Sequence, residues 1–370
     1  MSENVLITGG AGFIGRSICH ELLNRGHNVR VLDSLIEQVH GGGGRPAELS
    51  LDVDLVVGDV RDPAAVSGAL SGIDSVIHLA AEVGVGQSMY AVERYTDVND
   101  VGTAVLLEQL IARPVRRIVT ASSMSIYGEG LYRNADGVAI EDAVRLPRVG
   151  QDASWDPVDR YGQPLVPLPT PEWKRPNLSS VYALGKYVQE RLTLILAPVY
   201  GMEGVCLRLF NVYGPGQALS NPYTGVLAIF ASRLLNGQVP MIYEDGEQRR
   251  DFVHVSDVAR AFADALILPH AAGEVFNIGS GDDRSVADVA RALSRAMARP
   301  TEPEIVGKAR TGDIRHCFCD TTKAAARLGF HARQDFVAGL AELAEWVALQ
   351  TADDRVAEAR AELEARGLVA

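Results

Sequence analysis

Short runs of apolar, often β-branched residues recur along the first third of the chain, at 5–8, 29–32, 55–57, 76–79 and 117–120, separated by stretches with apolar residues at helical spacing. Runs of this length bounded by turn-forming residues read as buried strands. Strands that alternate with helices imply right-handed βαβ units, and so a parallel sheet with helices on both faces. Another run, at 205–209, extends the sheet, and helices are expected from 182 to about 196 and over 257–269, 285–298, 335–349 and 353–366. Asp62-Pro63 starts a helix, Asp257 is expected to cap another, and Gly41 to Gly44 form a loop.

The 370 residues exceed the roughly 250–300 that one core usually serves. The pattern therefore predicts an α/β protein: a Rossmann-type doubly wound parallel sheet over residues 1–205, and a smaller C-terminal α/β substrate-binding domain over 206–370, some of whose segments return to the first. Residues 131–177 form a connection rich in Pro, Gly, Asp and Trp. Connections so long usually cover a site, and this one starts and ends near Ser123 and Tyr182, so it is expected to be a lid, with Trp155 and Trp173 as its packing anchors.

Net charge is −12, with no basic patch, which argues against nucleic acid and anionic membrane surfaces as partners. No apolar run reaches about 18 residues and no leader is recognisable, so a cytoplasmic enzyme is expected. Cys19, Cys206, Cys317 and Cys319 lack metal-binding spacing and read as core thiols, and no metal site is expected.

Chemistry enters with three features. The first strand runs into Gly9-x-x-Gly12-Phe13-Ile14-Gly15 and then a helix, the arrangement in which backbone amides and a helix N-terminus meet a pyrophosphate. Asp33 ends the second strand, where a carboxylate binds the adenosine ribose hydroxyls and repels a 2′-phosphate; this favours NAD over NADP. Tyr182 and Lys186, four apart on a helix, project from one face, so an ammonium can sit beside a phenol and favour its ionised form. The cofactor wall is completed by Asp59 and Val60 against the adenine, by Leu79, Ala80 and Ala81 at the end of the fourth strand, and by Asn99 in the following helix, for which a bracing role is the alternative. His78 reads as a packed histidine.

Together with Ser122 to Gly128, Arg208 to Pro215, Arg250 to Asp257 and Gly312-Asp313, these residues resemble the extended short-chain dehydrogenase/reductase superfamily, specifically its NAD-dependent nucleotide-sugar epimerases and dehydratases, over nearly the whole chain. The resemblance implies a catalytic set of Ser123, Tyr182 and Lys186, with Ser123 and Met124 facing the sugar. It also implies that Asn211, Arg250 and Arg310 hold the diphosphate of a nucleoside-diphosphate sugar. A homodimer is implied as well, built on the helices near 98–112 and 180–196, which carry apolar residues on more than one face.

Dehydratase relatives carry an Asp-Glu pair after the catalytic hydroxyl and decarboxylating relatives a glutamate, where this chain has Met124 and Ser125. The resemblance thus implies 4-epimerisation, which needs only a base and NAD to oxidise C4 transiently to the ketone and reduce it again from the other face. The segments 217–225 and 244–250 resemble the subgroup that converts dTDP-L-rhamnose to dTDP-6-deoxy-L-talose. UDP-glucose/galactose and UDP-hexuronate are the other candidate substrates, and a non-catalytic NAD(H)-sensing or scaffold protein is the alternative from another class.

Overall fold

The first strand, β1 (Asn4–Thr8), buries Val5, Leu6 and Ile7 completely, as a central strand with helices on both faces must. The computed structural model describes residues 2–42, 44–145 and 154–369. β1 belongs to a parallel sheet with β2 (Asn28–Asp33), β3 (Asp54–Val57), β4 (Ser75–His78), β5 (Arg117–Ser123), β6 (Glu203–Leu209) and β7 (Val275–Ile278). The strand order is β7-β6-β5-β4-β1-β2-β3. Thr8 lies beside Leu32 on one side and His78 on the other, so the order reverses at β1 and a crevice opens beyond the C-terminal ends of β1 and β4.

On one face, α1 (Phe13–Asn24) packs against α4 (Val255–Ile267) through a core that includes Ile18, Leu22 and Phe262. On the other, α2 (Gly102–Ala112) and α3 (Val181–Val199) cover Leu6, Val76 and Ile118. A second core joins helices Val226–Leu235, Val286–Ala296 and Phe336–Ala348 around Leu227, Phe230, Leu293 and Leu343. The boundary expected at residue 205 falls inside β6, and α4 and β7, which follow it, lie in the layers of the main sheet. β7 had no clear sequence signal because it is four residues long with Asn277 in its middle.

Asp62 caps its helix by accepting from the amide of Ala64. Asp257 does not cap α4. His254 does, accepting from the amide of Ser256, while the Asp257 carboxylate turns to the amides of Arg333 and Gln334. All four cysteines are buried and free, and no helix among the described residues is long and apolar enough to cross a membrane.

Gly43 of the glycine loop and residues 146–153 of the long connection lie outside the described residues. The rest of that connection builds a small antiparallel sheet of Leu131–Arg133, Ala139–Ile140 and Val166–Leu168, with Tyr132, Ala143 and Leu165 as its core. Its two ends meet at Gly128, where φ is +59° and an added Cβ would lie 2.3 Å from the Asn177 carbonyl, so only glycine fits.

Candidate active site

The crevice at the switch point is the mouth of one cavity of about 1380 Å³. A typical small-molecule site occupies roughly 300–1,000 Å³, so this one has room for a dinucleotide and a second ligand. Glycines shape its floor. Gly9 has φ +69°, and a Cβ there would lie 2.8 Å from the Ala80 nitrogen; on Gly15 a Cβ would lie 2.5 Å from Gly10 backbone atoms. α1 starts after Gly12 without a side-chain cap, so its first amides face the cavity unanswered by the protein's own side chains.

Gly9, Gly12, Phe13, Ile14 and Gly15 all line the cavity, as do Asp59, Val60, Leu79, Ala80 and Ala81. Asp33 lines it too and ties the turn together: one oxygen accepts from the Ala11 amide at 3.0 Å and the other from the Leu35 amide at 2.9 Å, leaving lone pairs for a ribose. Asp59 is not free, as its sequence position suggests. Arg61 grips both carboxylate oxygens, holding the carboxyl below its usual range, and itself pairs with Asp97. Asn99 takes the bracing role. It lies outside the lining, with Oδ1 accepting from the Glu82 amide at 2.7 Å and Nδ2 donating to the Glu82 carbonyl at 3.1 Å.

Ser123 ends β5 beside Tyr182, which stands in the first turn of α3 because Ser180 caps that helix through the Ala183 amide. Gly185 lets α3 approach the preceding helix: a Cβ there would lie 3.2 Å from Asn99 and Asp100. Burial raises the Tyr182 phenol above its ordinary value, and a hydrogen bond with Ser123 draws it partly back. The Ser123 hydroxyl accepts from Ser125 Oγ at 2.9 Å.

Lys186 follows Tyr182 by one turn of α3. It shares the helix face with Tyr182, but its Nζ turns along α3 and donates to Gln189 Oε1 at 2.6 Å, and only Ser123 lowers the phenol. His78 is buried and neutral, between Thr8 Oγ1 at 2.7 Å and Thr103 Oγ1 at 2.9 Å. Burial, then Lys186, push its pKa down to about 3.

Met124, Asn211, Arg250 and Arg310 share the cavity with Ser123 and Tyr182. Asn211 Nδ2 donates to the Asp251 carbonyl at 3.0 Å. Arg250 donates to the carbonyls of Arg249, Ile314 and Arg315, and Arg310 pairs with Asp313 while lying over the Tyr243 ring. Among the described residues the lining carboxylates are Asp33, Glu37, Glu48, Asp59, Glu82 and Asp313, and none follows Ser123 directly.

The described residues of 131–177 do not line the cavity. The connection docks instead on the neighbouring loops: Arg145 pairs with Glu129 and Glu244, Asp156 pairs with Arg315 and His316, and Lys174 Nζ donates to the Tyr127 carbonyl at 2.6 Å. Trp155 is half-buried, whereas Trp173, expected as a packing anchor, is 63% exposed.

Sequence reasoning missed Arg16, which reaches from α1 to the Gly216 carbonyl at 2.6 Å across the mouth. It also missed Glu82 and Arg94, paired on the cavity wall. Arg16 and Gly216 are 200 residues apart, and no local pattern marks the Glu82–Arg94 pair either.

The model of the NAD dependent epimerase/dehydratase family matches residues 5–143 and 160–279. The chain belongs to that family. It is 37% identical over 350 residues to dTDP-L-rhamnose 4-epimerase of Burkholderia thailandensis, covering 94% of this chain and 95% of that one. It is 32% identical to dTDP-glucose 4,6-dehydratase of Actinoplanes sp., covering 92% and 97%. The structure of Thermus thermophilus UDP-glucose 4-epimerase complexed with NAD superposes with a TM-score of 0.75 at 29% identity, covering 94% of this chain and all of that one. This family member is an NAD-dependent enzyme, and the glycine cradle, the open helix N-terminus and Asp33 fit that cofactor.

Asp33→Ala is expected to weaken NAD binding and narrow its preference over NADP, since it removes both the ribose acceptor and the repulsive charge. Calorimetric titration with both cofactors checks this, and unchanged selectivity would reduce Asp33 to a tie for the glycine turn.

Proposed function

We propose that this enzyme is an isomerase, a nucleotide-sugar 4-epimerase, and that it interconverts dTDP-L-rhamnose and dTDP-6-deoxy-L-talose. The observation that carries the reaction type is the pair Met124 and Ser125, which line the cavity directly after Ser123, in the place where a dehydrating site needs its acid and base. A thioether and a hydroxyl cannot remove water from the sugar, whereas 4-epimerisation needs only one base. Tyr182 takes the proton of the C4 hydroxyl, Ser123 hydrogen-bonds the same oxygen, and Lys186 holds the nicotinamide ribose. NAD, when bound, supplies reversible oxidation at C4. Asn211, Arg250 and Arg310 bind the diphosphate.

The choice of sugar is supported by the relative from Burkholderia thailandensis and by the wall of the cavity. Val83, Val85 and Met124 offer an apolar surface suited to a 6-deoxy position. The long connection is best read as a brace for the loops it docks on. Incubation with a panel of dTDP- and UDP-sugars, read by NMR for inversion at C4, tests the assignment. Turnover of dTDP-L-rhamnose supports it, and exclusive turnover of UDP-glucose or a UDP-hexuronate replaces the sugar while keeping the reaction.

A homodimer completes this reading. Leu184, Ile195 and Val199 of α3 lie 47%, 52% and 68% exposed along one side of the helix, next to Val101 at 47%. Four solvent-facing apolar side chains on adjoining helices mark a contact surface, and two-fold pairing covers it. Light scattering at micromolar concentration is expected to give a dimeric mass, and a monomeric mass contradicts the pairing.

A further inference from the structure

The partner of Lys186 is an amide, and that amide is anchored across the site. Gln189 is fully buried one turn beyond Lys186 on α3. Its Oε1 accepts from Lys186 Nζ at 2.6 Å. Its Nε2 lies 2.9 Å from Thr103 Oγ1, 3.2 Å from the Ala80 carbonyl and 3.2 Å from His78 Nε2. Ala80 stands just beyond the end of β4, against Gly9, where the strand ends form the cofactor wall. One neutral side chain therefore spans from that wall to the ammonium, accepting at one end and donating at the other, which only a carboxamide of this length can do.

We propose that Gln189 is a positioning residue that fixes Lys186 against the Leu79–Ala81 wall, occupying one N–H and directing the others toward the ribose of bound NAD. This rests on the reading that Lys186 holds that ribose. The groups facing Lys186 are His78 from β4, the Cys206 thiol from β6, and Glu190, whose carboxylate is gripped by Arg208. Burial brings Lys186 down to about 8, and Cys206 and Glu190 oppose the fall. The amide adds no charge, so the ammonium loses its proton only slightly above neutrality.

Replacing the amide changes this in a known direction. Lys186 works as an ammonium, so binding and turnover fail as pH rises through its pKa. Gln189→Glu puts a carboxylate against it, favours the ammonium and moves the alkaline limb to higher pH. Gln189→Leu removes the acceptor, disfavours the ammonium, moves the limb to lower pH and weakens NAD binding by about tenfold or more, the worth of a hydrogen bond to a charged group. The experiment measures NAD affinity by calorimetry, and C4 inversion of the NAD-loaded enzyme by NMR, each as a function of pH in the wild type and both variants, with thermal unfolding as the control for folding. Opposite shifts in the two variants support the proposal. Limbs that stay with the wild type, or move together, overturn it, and if the leucine variant fails to fold the direction of the glutamate shift alone decides. If the wild type inverts no sugar, the epimerase reading falls, and the pH dependence of NAD affinity still judges Gln189.

Discussion

Replacing Tyr182 with phenylalanine is expected to lower epimerisation by at least about a hundredfold while leaving the fold intact, within the range for loss of a general base. In the proposed mechanism the Tyr182 hydroxyl, hydrogen-bonded with Ser123 in the cavity, takes the C4 proton and returns it. Burial raises its pKa, and the hydrogen bond with Ser123 opposes that rise and favours the phenolate that takes the C4 proton. Phenylalanine keeps the ring and its packing but carries no exchangeable proton. Initial rates by NMR check the loss, and near-normal turnover in this variant would remove Tyr182 from the reaction.

The second large effect is on stability. Arg208 and Glu190 form a buried bidentate pair, with Nε to Oε2 at 2.9 Å and Nη2 to Oε1 at 2.7 Å, 6% and 1% exposed. Ser122 donates to the same carboxylate at 2.7 Å, and Arg208 Nη1 donates to the Tyr127 hydroxyl at 2.7 Å and the Glu172 carbonyl at 3.1 Å. The cluster joins β5, β6, α3 and the long connection directly behind Ser123. Arg208→Leu leaves the carboxylate buried and unpaired, at an expected cost of roughly 3–5 kcal/mol. Glu190→Leu strands the guanidinium at a similar cost, and the double variant loses less than the sum of the two. Denaturant unfolding of the three variants checks this, and additive losses would show that the two charges do not depend on each other.

How much of this was legible in the sequence depends on whether the signal is local. The strands and the glycine turn were readable because apolar runs and the close approach of Gly9 and Gly15 to neighbouring backbone depend on few neighbours in the chain. The same locality placed Tyr182 in the first turn of its helix, with Ser180 three residues before Ala183 as the cap. Side-chain direction was not readable. Spacing put Lys186 on the face of Tyr182, but Gln189, three residues further on and tied to Ala80 and Thr103, decides where the ammonium goes. Asp59 looked free because its partner Arg61 is fixed by a third residue, Asp97. The connection at 131–177 was expected to be a lid because both its ends lie at the site, and the ion pairs by which Arg145 and Asp156 dock it, on charges more than 90 residues away, could not be read. Long-range ion pairs leave no periodicity to read.

The central claim is that one base and NAD invert C4 and no other centre. It is tested most directly with the nucleotide sugar turned over in the panel, deuterated at C4, and incubated in ordinary water with the NAD-loaded enzyme. The expected result is an epimer inverted at C4 that still carries the deuterium at C4. Loss of the label to solvent, or inversion at another carbon with C4 untouched, would contradict the account.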